Sequence, residues 1–96
     1  MSKRANWTVY RVTLTNANTE YSQLLPEDVL FVHVSTTSQI ADVRLSLVAS
    51  QVEGGTQYRT ISAGTGWESQ MPIIGAKTIY LSSDTAGIEV EIEVWY

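Results

Sequence analysis

From Trp7 to Tyr96 the chain alternates apolar and polar residues with a period of two. A period of 3.6 residues, which a helix with one buried face requires, is almost absent. The closing stretch "GIEVEIEVWY" shows the pattern at its cleanest. Ile88, Val90, Ile92 and Val94 fall on one face, and Glu89, Glu91 and Glu93 fall on the other. "WTVYRVTLT" at Trp7 to Thr15, "EYSQLL" before Pro26, "DVLFVHVS", "DVRLSLVA", "TQYRTI" and "KTIYLSS" are further β-branched and aromatic runs. "NAN", "TTSQ", "EGG", "SAGTG" and "DTAG" separate them with turn residues. "WESQMPI", at Trp67 to Ile73, is interrupted by proline and reads as a sheet edge. The pattern predicts an all-β fold: a single antiparallel β-sandwich or jelly-roll-like domain of about eight short strands.

Finer expectations follow from the same runs. "DVLFVHVS" is nearly continuous in apolar residues, as a strand covered on both faces would be, and places His33 on one face with Val29 and Phe31. "DVRLSLVA" sets Val43, Leu45, Leu47 and Ala49 against Arg44 and Ser46. "KTIYLSS–DTAG–IEVEIEVWY" reads as a hairpin closed by a four-residue turn.

Length and charge narrow the functions. A chain of 96 residues makes one core and has no room for a cleft between domains. The expected organisation is a basic arm over residues 1–6 and a single sandwich over 7–96. There is no cysteine, hence no disulfide framework and no thiolate metal site. Charged residues are 17% of the chain, below the roughly 25% of an average soluble domain, and Ser and Thr take their place. Lys3 and Arg4 contribute +2 to a net charge of −4, leaving −6 on the remainder. An acidic body of this kind argues against nucleic-acid binding, which needs clustered Lys and Arg. No apolar run suits a membrane helix or the core of a signal peptide, so a soluble, unsecreted product without membrane contact is expected.

Residues able to carry chemistry are few. Same-face residues on one strand stand about 6.5–7 Å apart, too far for Glu89, Glu91 and Glu93 to share one cation. The row reads as a face turned to water or to a partner. His33 is the only histidine and has no cysteine or G-x-S-x-G serine to activate; it reads as structural filler. The paired glycines lack the Lys-Ser/Thr and the helix of a phosphate loop. Neither a catalytic set nor a cofactor or metal site is expected. Among the aromatics, Trp67, in a Gly-flanked loop, and Trp95 with Tyr96, at the terminus, are the candidates for contact with a partner.

The order of four segments adds a resemblance. "YRVTLTNANTEYSQLLPEDV", "DVRLSLVAS", "YRTISAGTGWES" and "KTIYLSSDTAGIEVEIEVWY" together are similar to small virion-associated proteins of tailed bacteriophages, over about Val9 to Trp95. "LFVHVSTTSQIA", at Leu30 to Ala41, matches least well. The resemblance implies a non-enzymatic head-decoration or cement protein, made in the host bacterial cytoplasm and carried in the virion head. Its partner would be the major capsid protein, and a homotrimer would be the expected assembly. Under that reading Lys3, Arg4, Trp67, Glu89, Glu91, Glu93, Trp95 and Tyr96 are the partner-binding residues. The alternative is a virion- or tail-associated adhesion module whose exposed aromatics recognise host surface glycans.

Overall fold

The computed structural model of the protein describes residues 6–69 and 77–96. Lys3 and Arg4, and residues 70–73 of the expected edge segment, lie outside the described residues. Among the described residues eight strands follow in order: β1 (Trp7–Leu14), β2 (Tyr21–Leu24), β3 (Phe31–Thr36), β4 (Val43–Ser46), β5 (Arg59–Ile61), β6 (Gly66–Glu68), β7 (Thr78–Ser82) and β8 (Ile88–Trp95). All pairings are antiparallel.

The strands form two four-stranded sheets, β1-β8-β3-β6 and β2-β7-β4-β5. The first with the eighth, second with seventh, third with sixth and fourth with fifth strands all pair. The chain is thus one long double strand, folded over so that β3–β8 and β4–β7 contacts close the two sheets. That nesting is the jelly-roll arrangement, two interlocked Greek keys. Strands consecutive in sequence lie in opposite sheets except β4 and β5.

The core lies between the sheets. Val32, Val34, Val90, Ile92 and Val94 from the first sheet, and Val43, Leu45, Ile79 and Leu81 from the second, are each at most 2% exposed. Burying Ile88, Val90, Ile92 and Val94 is worth roughly 1.5–3 kcal/mol apiece. Their alternation with glutamate therefore fixes which face of β8 turns inward.

Four local expectations are corrected by this architecture. The closing hairpin is absent: β7 lies in one sheet and β8 in the other. Both strands carry one apolar row, and both rows face the same core from opposite sides, so the turn bridges the layers. Gly87 makes this crossing with a φ of 78°, and its N–H donates to the Leu14 carbonyl at 2.8 Å, seating β8 beside β1. β3 is covered on one face only, with Phe31, His33 and Ser35 half-exposed. Val29 does not share their face; it is 1% exposed in the core, because the chain bends at Leu30 and breaks the alternation before β3 begins. In β4 the buried row stops at Leu45, and Leu47 is 41% exposed. The Ser46 hydroxyl accepts the Val48 amide at 3.0 Å and donates to the Gln57 carbonyl at 2.6 Å, ending the ladder in a turn.

Candidate functional site

Register places the candidate residues of β8 on the outward face of the first sheet. Opposite residues of an antiparallel pair share a face. Trp95 stands opposite Trp7 on one side and Phe31 on the other. Glu93 lies between Val9 and His33, Glu91 between Arg11 and Ser35, and Glu89 opposite Thr13. The edge strand β6 adds Glu68 beside His33. The face is thus an aromatic row at one end, running into an acidic field.

The aromatic row is open. Trp7 is 57% exposed. The Trp95 ring packs obliquely on Phe31, with centroids 5.3 Å apart and planes inclined at 59°. Tyr96 is held differently. Its backbone N–H donates to Asn6 at 2.9 Å and its carbonyl accepts from Asn6 at 3.1 Å, while its side chain packs against the core. The ladder therefore includes Asn6, which the sequence assigns to the arm.

The glutamates are in three situations. Glu89 is exposed. Glu91 accepts from Arg11 Nε at 3.2 Å, and Glu93 Oε1 lies 3.4 Å from His33 Nδ1. His33 stands half-exposed between Glu93 and Glu68. Gly66 makes room for it, since a Cβ there would come within 2.8 Å of His33 Nε2. Among the described residues no group of three or more His, Asp and Glu side chains is placed to hold a metal ion.

Trp67 belongs to β6, not to a loop, and lies opposite the buried Val34. Its side chain therefore turns inward, half-buried against the core. There it borders an apolar hollow of about 330 Å³ with Leu45, Leu47, Val48, Tyr58 and Arg59.

The second sheet holds a polar centre that sequence reading passes over. Arg44 Nε donates to the Val52 carbonyl at 2.8 Å and to Ser82 Oγ at 3.1 Å. Its Nη1 donates to Asp84 at 2.7 Å, and its Nη2 pairs with Glu53. Burial opposes the charge on Arg44. Hydrogen bonds and attraction from Asp84 and Glu53 outweigh it, and the pKa is raised. As pH rises, what the cation contributes to stability is therefore held through the ordinary arginine range and lost only above it. The network ties the segment after β4 over the outer face of the sheet, where Val52 is 2% exposed yet separate from the main core. Beside it lies a hollow of about 410 Å³ bordered by Asp42, Tyr58, Thr60 and Asp84. The one sequence signal for this centre was a charged residue in a strand with Asp84 and Glu53 in flanking turns.

No protein-family model and no curated protein matches the chain. Two solved structures are similar in fold. One is the solution structure of a de novo designed double-stranded β-helix, at 13% identity and a TM-score of 0.52, covering 94% of this chain and 96% of that one. The other is from work on Bacillus endospore appendages that form disulfide-linked pili, at 10% identity and a TM-score of 0.51, covering 100% of this chain and 90% of that one. At such identities the likeness concerns the fold alone.

Proposed function

We propose that this chain is a non-enzymatic structural protein of a phage virion, which binds the major capsid protein and stabilises the head. The observation that carries the reading is the outward face of the first sheet. A tryptophan 57% exposed, in register with Trp95 and Phe31, is costly in water and suits the buried centre of a protein contact. Glu89, together with the partly paired Glu91 and Glu93, gives that face an acidic flank for a basic stripe on the capsid. The resemblance over Val9 to Trp95 supplies the class of partner. Synthesis in the host cytoplasm and residence in the head follow from it.

The same row beside Glu93 and His33 suits stacking on a sugar ring, which makes glycan recognition the second reading. Purified heads lacking the protein, mixed with wild type or Trp7→Ser and pelleted, separate the two. The capsid reading expects wild type to co-sediment and Trp7→Ser to bind at least tenfold more weakly. Wild type that leaves such heads bare but binds a glycan array would overturn it.

A further inference from the structure

The edges of the two sheets differ sharply in length. β2 has 4 residues, and β5 and β6 have 3 each, whereas β1 has 8. Short edges are one way in which β proteins avoid pairing with other chains, and charge, proline and bulges are others. β1, "WTVYRVTL", contains no proline, pairs with β8 through its whole length without a bulge, and carries one charge. That charge, Arg11, is already turned toward Glu91. Among the described residues β8 is the sole strand beside β1. The inward row is also incompletely covered there. Tyr10 and Val12 face the core yet remain half-exposed, while their partners Ile92 and Val90 are fully buried.

We propose that the free edge of β1 pairs antiparallel with β1 of a second copy, forming a two-fold dimer with a continuous eight-stranded sheet. The register follows from the residues. Asn6 and Tyr96 exchange both backbone hydrogen bonds, so alternation directs the N–H and C=O groups of Trp7, Val9, Arg11 and Thr13 to the free edge. Pairing over the full strand, with Trp7 opposite Leu14, would set outward residues against inward ones. Centring on Arg11 would set two arginines opposite each other. Centring on Tyr10 avoids both faults. It places Trp7 opposite Thr13 and Val9 opposite Arg11 of the second copy, with all four edge-directed residues hydrogen-bonded. Tyr10 then meets its own counterpart on the core side, covering the half-exposed ring. An isologous contact of this kind closes after two copies, in place of the three-fold ring that the resemblance implies.

Substitutions at Val9 separate association from folding, because Val9 stands opposite Glu93 within the chain and opposite Arg11 across the dimer. Val9→Arg adds an attraction inside the fold and a repulsion between copies. Val9→Glu does the reverse. Sedimentation equilibrium of the full chain should show a wild-type dimer, dissociating about 2- to 30-fold more readily in Val9→Arg, where the contact occurs twice. Val9→Glu should dimerise more tightly although its thermal midpoint falls. Val9→Pro removes an edge-directed N–H and should sediment as a folded monomer. A monomeric or trimeric wild type would overturn the proposal, as would a dimer indifferent to Val9→Arg and Val9→Glu.

Discussion

Replacing Arg44 by methionine keeps most of the side chain's length and removes its charge. The four acceptors it serves are not of equal weight. Asp84 is 76% exposed and returns to water, so that contact is worth at most about 1 kcal/mol. Glu53, at 32% exposure, loses about as much. The Val52 carbonyl loses a hydrogen bond from a cation, worth about 1.5–3 kcal/mol, and keeps only the Ser82 hydroxyl at 3.2 Å. The expected loss is about 2–4 kcal/mol, or a thermal midpoint lower by about 10–30 °C for a domain of this size. Urea unfolding should give the free energy at an unchanged m-value. Hydrogen exchange should rise first in residues 47–58, the segment that the network ties down. Asp84→Asn is the control and should cost less than about 1 kcal/mol. A loss in Arg44→Met below about 0.5 kcal/mol, or exchange in that segment unchanged, would refute the assignment of Arg44 as the tie.

Two further perturbations test the fold itself. Ile92→Ala, at a fully buried position between β1 and β3, should cost about 2–5 kcal/mol in urea unfolding. Gly87→Ala meets no neighbouring atom within 4 Å, so its cost should be that of the left-handed backbone alone, about 1–2 kcal/mol by thermal melting.

Much of the architecture is legible in the sequence, because burial writes itself into alternation. The row Ile88, Val90, Ile92, Val94 identifies both β8 and its inward face, and eight such runs without a helix specify an all-β sandwich. Pairing is less legible. The four residues Asp84 to Gly87 would serve a hairpin or an arch between layers equally well, and only the long-range partners β1 and β3 decide. Side-chain competition is hidden for a similar reason: nothing local to Ser46 announces that its hydroxyl will end β4. At the candidate surface, the alternation places Glu89, Glu91 and Glu93 together. The aromatic row that borders them depends on Trp7, Trp95 and Phe31 meeting across three strands, which register alone brings about. Trp67 misleads because its glycine neighbour suggests a loop, whereas Gly66 is there to clear space for His33.

A cryo-EM map of heads carrying the protein tests the proposed function most directly. Density for the sandwich is expected on the shell, with the Trp7, Trp95 and Phe31 row buried against the major capsid protein and the Glu89 flank facing basic side chains. Heads bare of the protein, or a bound sandwich whose first sheet faces solvent, would contradict it.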